Sequence, residues 1–299
     1  MVRTSSFLIS GINIVIHPHS PEKYIELFND IYKKREVKHV RGYQYIMIGE
    51  LWPLNNDPLK GLKGSLYRFL QIDKDAVWFD VLKNNKASKE DLSRIELPEN
   101  LRPNTEIYDF IFYPIGHTLY ISLKSTTKIR YRYPMISISQ VNNGLNLLFS
   151  SSDIIEKYGK VETTIIPDKQ QLANIFSIPV LKKLTIDIIK PNTDDLSSAQ
   201  HKVMKRFNNM NVRRTIQTYD AEKNYSIIPD EDLKCLASVA ATNGEVIGQG
   251  SDLKNTKIKI STKERPWMQA VKYNPLKQSS TNAFENATSD LTKHNDIKQ

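Results

Sequence analysis

Apolar positions between Phe7 and Ile16 alternate through Ile12, Ile14 and Ile16, which predicts a strand with one face buried. The segment His17-Pro18-His19-Ser20-Pro21-Glu22 follows. Ser20 suits a helix N-cap, and Pro21 suits the first helical position, where its missing N–H costs nothing. Tyr24, Leu27, Phe28 and Ile31 then repeat at helical spacing, so a helix is expected to end near Lys34. The same grammar recurs three times. Val161 to Ile166 alternates, and Pro167-Asp168 opens a helix through Leu172 and Ile175, with Asp168 and Gln171 as a capping box. Leu184 to Ile189 reads as a strand, closed by Lys190-Pro191-Asn192-Thr193 before a polar helix from about Asp195 to Phe207. Tyr225 to Ile228 reads as a strand running into Pro229-Asp230, and a helix from Leu233 to Ala241 stops at Asn243-Gly244. Irregular spacing between these units favours ordinary helix-entry grammar over an internal duplication.

The intervening sequence is rich in strand signals. Gln44 to Leu51, Leu66 to Ile72, Tyr108 to Tyr113 and Thr118 to Leu123 all predict strands, and Pro114-Ile115-Gly116-His117 forms a hairpin turn. Ser88 to Arg94 and Ser137 to Phe149 are helical, the second weakened by Asn142-Asn143-Gly144. Glu245 to Gly248 and Lys257 to Ser261 add two further strands. Strands joined by hairpins and interspersed with helices predict an α+β fold with mixed, largely antiparallel sheets. The expected division is an N-terminal domain over 1–152 and a C-terminal domain over 153–273. Past Asn274 the chain is Ser-, Asn-, Thr-, Lys- and Asp-rich, so 274–299 is expected to be a disordered tail.

At 299 residues, with 39% hydrophobic and 25% charged, the chain is too apolar to be wholly disordered. It has no uncharged apolar run long enough to span a bilayer and no signal-peptide pattern at its start. Cys235 is the only cysteine, which excludes an internal disulfide and any multi-cysteine zinc site. A cytoplasmic location is expected. A net charge of +9 permits contact with nucleic acid, anionic lipid or an acidic partner.

Gly-rich phosphate loops and nucleophile elbows are absent, and no catalytic residue, metal ligand set or cofactor is assigned. His17 and His19 could share a face on extended backbone, but a third ligand is missing nearby. Cys235, beside Leu233 and Leu236, reads as a small core residue. The most distinctive charged segment is Lys124 to Tyr133, inside a stretch from Phe110 to Ser152 that contains no Asp or Glu. As a strand it would place Lys128, Arg130 and Arg132 on one face and Ile129, Tyr131 and Tyr133 on the other. Such a row suits phosphate contact, with tyrosines available to stack on bases; an edge strand with inward tyrosines is the structural alternative. Lys202, Lys205 and Arg206, then Arg213 and Arg214, form a second cluster. Lys33, Lys34, Arg35, Lys38 and Arg41 form a third, and Lys60, Lys63 and Arg68 a weaker fourth. The candidate nucleic-acid contacts are therefore Lys124, Lys128, Arg130, Tyr131, Arg132, Lys202, Lys205, Arg206, Arg213 and Arg214. With no recognition-helix, zinc-finger or RNA-binding signature, backbone-dominated and weakly sequence-specific binding to duplex DNA is expected.

Several segments resemble an uncharacterised bacterial family, the domain of unknown function numbered forty-seven forty-seven. They are Asn13 to Glu22, Gly64 to Phe69, Tyr158 to Glu162, Leu181 to Ile186 through Lys190-Pro191-Asn192, and Ala240 to Gly244. The strand Leu184 to Pro191 and the helix after it are also loosely similar to the Rex exclusion protein A of phage lambda. That similarity implies a cytoplasmic, dimeric DNA-binding protein of an anti-phage exclusion system, acting with a membrane or other defence-system protein. Two other readings stand beside it. One is a cryptic metal-dependent nuclease or toxic effector built on Glu50, Asp80 and His17 or His19; the other is a protein-interaction subunit of a defence complex.

Overall fold

The computed structural model describes residues 4–73, 76–96, 98, 100–191 and 198–296. The order is β1 (Ser5–Val15), α1 (Pro21–Lys34), β2 (Lys38–Arg41), β3 (Gln44–Pro53), β4 (Leu62–Leu70), β5 (Phe79–Asp80), β6 (Asn85–Lys86), α2 (Lys89–Ser93), β7 (Glu106–Tyr113) and β8 (Thr118–Ser122). There follow α3 (Ile138–Phe149), α4 (Ser152–Tyr158), β9 (Glu162–Ile165), α5 (Lys169–Phe176), β10 (Val180–Ile189), α6 (Ser198–Met210), β11 (Arg214–Asp220), α7 (Glu231–Thr242), β12 (Gly244–Ser251), β13 (Lys257–Ser261), β14 (Gln269–Tyr273) and α8 (Ser280–Asp296). The fold is α+β with antiparallel sheets.

The first sheet has the order β14-β1-β8-β7-β4-β3-β2, with β9 continuing beside β1 past the end of β14. Both faces are covered. Tyr24, Leu27, Phe28 and Ile31 of α1 and Val141, Leu145, Leu148 and Phe149 of α3 bury one face against Tyr108, Phe110 and Phe112 of β7. Ile111 and Tyr113 of the same strand point to the opposite face, where they meet Phe7, Tyr120 and Phe284 of α8. Coverage on both sides explains why β7 reads as an almost unbroken apolar run. Ser20 caps α1 as expected, accepting from the Lys23 amide at 3.3 Å.

The second sheet, β11-β10-β12-β13, carries α5, α6 and α7 on one face. Leu184, Ile186 and Ile188 alternate toward those helices and meet Val203, Phe207, Ala237 and Ala240. Strands β9 and β14 and helix α8 lie beyond residue 152 in sequence, yet all join the first sheet.

Three expectations need correction. Within the stretch expected to be a disordered tail, Ser280–Asp296 form α8. Ala283, Phe284, Ala287 and Leu291 recur at helical spacing and pack on the first sheet; the alanines hide this stripe in a polar composition. Tyr225 to Ile228 is not a strand: its Ile227 amide makes one bond to the Leu181 carbonyl, at 2.8 Å. The strand in that region is β11, whose mostly polar sequence conceals it. Finally, Asp168 caps α5 through the Gln170 amide, while Gln171 turns inward and donates to the Ser261 carbonyl, so the capping box does not form.

Candidate nucleic-acid interface

The segment from Leu123 to Ile136 is a strapped loop, not a strand. Its base is a short ladder in which the Ile136 amide donates to the Leu123 carbonyl at 3.0 Å and the Ser125 amide to the Pro134 carbonyl at 2.9 Å. Ser125 Oγ accepts from the Ile107 amide at 3.0 Å, and Thr127 Oγ1 donates to the Thr105 carbonyl at 3.2 Å. These bonds fasten the base to the start of β7. Buried Arg68 adds another tie: its guanidinium donates to the Met135 carbonyl at 3.0 Å while pairing with Glu106.

Beyond the base the chain turns sharply. Ile129 and Arg132 exchange backbone hydrogen bonds at 3.0 and 3.4 Å, leaving Arg130 and Tyr131 at the apex. Arg130 has φ 58°, in the left-handed region that a strand excludes. The expected alternating row is therefore overturned: the reversal at the apex ends the period-two pattern. Its physical result is exposure. Tyr131 is 99% exposed, and Lys128, Arg130 and Arg132 are exposed with no ion pair to any described residue. Tyr133 lies under the ammonium groups of Lys124 and Lys128, at 5.0 and 5.2 Å from its ring centre. Lys124 also donates to the Ser6 carbonyl at 3.1 Å, so it is partly engaged.

The remaining candidates fall in two other places. Lys202, Lys205 and Arg206 lie on the exposed side of α6, opposite buried Val203, Met204 and Phe207. Arg213 and Arg214 are spent on acids. Arg213 pairs with Glu162 at 2.8 Å, and Arg214 makes a two-pronged contact with Asp187. The Asp187 carboxylate, acting first, holds the Arg214 guanidinium pKa above its ordinary value. Both arginines sit at a polar cleft of about 390 Å³ or its rim, where Lys160, Lys263, Glu162 and Asp187 also converge. These two are withdrawn as free phosphate contacts: freeing Arg214 strands the Asp187 carboxylate, and freeing Arg213 leaves Glu162 with Lys160 as its cation.

The third cluster is likewise compensated at Lys34, which pairs with Glu36 and Asp153, and at Lys38, which pairs with Glu36. In the fourth, Lys63 pairs with Glu285 and Arg68 is buried.

His17 Nε2 lies 3.0 Å from the Lys190 carbonyl, and burial lowers its pKa against the opposing pull of that bond. His19 packs edge-on against His117, at 4.9 Å between ring centres. Among the described residues, no three His, Cys, Asp or Glu side chains are placed to hold a metal. Glu50 accepts from Ser65 Oγ at 3.1 Å, whereas Asp80 accepts the Leu82 and Lys83 amides of its own turn. Cys235 is half-buried on α7.

One polar group escaped the sequence reading. Asp109 on β7 is aligned with Ser65 on β4, which is aligned with Glu50 on β3, so a polar row crosses the first sheet. Burial raises the Asp109 pKa, opposed by the Thr281 hydroxyl that donates to it at 2.7 Å. The signal available was a single acid inside an apolar strand.

A family profile described as Domain of unknown function (DUF4747) matches residues 5–289. The chain belongs to this family. The DUF4747 match takes in both sheets and most of α8, so the exposed loop tip and α6 lie within the family's domain. No curated protein matches the chain. No helix among the described residues is long and apolar enough to cross a membrane.

Proposed function

We propose that this protein is a non-enzymatic, weakly sequence-specific DNA-binding protein. The observation that carries the reading is the loop tip, where Lys128, Arg130 and Arg132 surround a fully exposed Tyr131 in a stretch without acids. Phosphates can approach these cations without displacing an intramolecular partner, which distinguishes them from Arg213 and Arg214. Lys202, Lys205 and Arg206 on α6 supply further phosphate contacts, on a helix whose opposite face is fixed in the core. We further propose an anti-phage exclusion setting, in a bacterium or prophage, with a membrane or other defence-system protein as partner.

A nuclease reading has less support. Glu50 and Asp80 sit on separate elements and each is engaged locally. A gel-shift titration with duplex DNA, single-stranded DNA and RNA at two salt concentrations, with and without magnesium, separates the readings. Retardation of intact duplex that weakens with salt is expected. Absence of any shift overturns DNA binding in favour of a protein partner, and cleavage only with magnesium overturns the non-enzymatic assignment.

A further inference from the structure

Strand β11 closes one edge of the second sheet, and among the described residues its only strand partner is β10. Its backbone orientation follows from that ladder. The Lys190 amide donates to the Arg213 carbonyl at 2.8 Å, and the Ala221 amide donates to the Lys182 carbonyl at 2.8 Å. Antiparallel alternation then directs the backbone groups of Thr215, Gln217 and Tyr219 toward β10. Those of Arg214, Ile216, Thr218 and Asp220 point away from the sheet. The opposite edge is blunted by exposed Lys257 and Lys259 on β13. On β11 there is no proline, bulge or lysine, and Ile216 near its centre is 61% exposed.

We propose that β11 pairs with β11 of a second copy of this chain, antiparallel about a two-fold axis at Gln217, to make one continuous sheet. The argument is self-complementarity. Within one chain, Lys183 pairs with Asp220 at 3.5 Å and Asp187 holds Arg214. Pairing about Gln217 sets Asp220 opposite the partner's Arg214 and Ile216 opposite the partner's Thr218. The charges across the joined strands then alternate: Lys183, Asp220, the partner's Arg214, the partner's Asp187. A shift of the axis by one residue keeps the outward backbone groups paired but removes the opposition of Asp220 to the partner's Arg214. A half-residue shift leaves outward groups facing none.

Sedimentation equilibrium on the full chain tests this. A dimer is expected. Thr218→Pro deletes an outward amide but no backbone bond to β10, losing toward that strand only the exposed 3.5 Å contact between the Thr185 and Thr218 hydroxyls, so it should yield a monomer with unchanged circular dichroism. Asp220→Arg places arginines opposite each other and should weaken dimerisation at least tenfold; it decides the matter if Thr218→Pro fails to fold. At the axis the Gln217 positions form a non-hydrogen-bonded pair with Cα atoms about 4.5 Å apart, within disulfide range. Gln217→Cys in a Cys235→Ser background should therefore cross-link to itself on mild oxidation, and Thr218→Cys should not. A monomeric wild type, a dimer that survives both Thr218→Pro and Asp220→Arg, or a dimer without the Gln217→Cys cross-link overturns the proposal.

Discussion

The salt dependence of DNA binding should separate the free cations from the spent ones. Each phosphate neutralised on duplex DNA contributes roughly 0.9 to the slope of log affinity against log salt, through released counterions. The loop tip holds three uncompensated cations, Lys128, Arg130 and Arg132. With one phosphate each, the tip supplies a slope of about −2.7, and Arg130→Ala with Arg132→Ala leaves about −0.9. Between 50 and 200 mM salt, the tip's share of the affinity then falls about 40-fold in the wild type and about 3.5-fold in the variant. Contacts elsewhere add equally to both, so the observable is a slope difference of about 1.8. Arg213→Ala with Arg214→Ala is the control. Those guanidiniums already face Glu162 and Asp187, so this pair should leave the slope unchanged while costing about 1–3 kcal/mol of stability, because the mostly buried Asp187 carboxylate loses its cation. Fluorescence anisotropy with a labelled duplex, titrated at five salt concentrations, reads both slopes. An unchanged slope in the tip variant, or an equal fall in the control, refutes the assignment.

Three further outcomes follow from the packing. Arg68→Met removes a guanidinium that serves Glu106, the Tyr108 hydroxyl and the Met135 carbonyl, leaving Glu106 short of its partner in a largely buried site; a loss of about 3–5 kcal/mol in urea denaturation is expected. Gly144→Ala drives a methyl into Ile46 Cδ1, with Val40 close by, so Ile46 must repack in the core or α3 must lift from β3, and a cost of about 1–3 kcal/mol should appear in the same assay. Burial raises the Asp109 pKa, so the folded state binds that proton more tightly; stability should fall as pH rises from about 4 through the raised value, and Asp109→Asn should flatten that fall in urea melts across the range.

Elements whose burial is one-sided were the most legible in the sequence. Helix α1 announced itself through Ser20, Pro21 and the stripe from Tyr24 to Ile31, because capping and amphipathicity are local properties. Strand β10 was equally plain, its alternation toward α6 and α7 matching Leu184, Ile186 and Ile188. Helix α8 was not, because alanine scores weakly in composition yet fills the gap beside Phe284 on a sheet face already crowded by Tyr113 and Tyr120. Gly144 shows the converse. In sequence it weakens the α3 helix, but in the fold it lets the helix lie close enough to touch Ile46. Local propensity ranks glycine as a breaker; long-range packing makes it a spacer.

The cations divide on the same principle. Clustering alone gives Lys128, Arg130, Arg132, Arg213 and Arg214 equal weight; along the chain only the stretch without acids sets the first three apart. Their partners are set by strand pairing: β9 brings Glu162 to Arg213, and register with β10 brings Asp187 to Arg214. Between Phe110 and Ser152 the chain has no acid to offer, and around the turn at Arg130 no acid among the described residues pairs with Lys128, Arg130 or Arg132. Absence of local acids was therefore the informative signal, and density of basic residues was not. A cation far in sequence from any carboxylate can still be neutralised across a sheet, but one at the apex of a two-residue turn has no neighbouring strand to supply the opposite charge. That geometry is why the proposed phosphate contacts are placed at the loop tip, rather than at the arginine pair, where the fold has already used the charge.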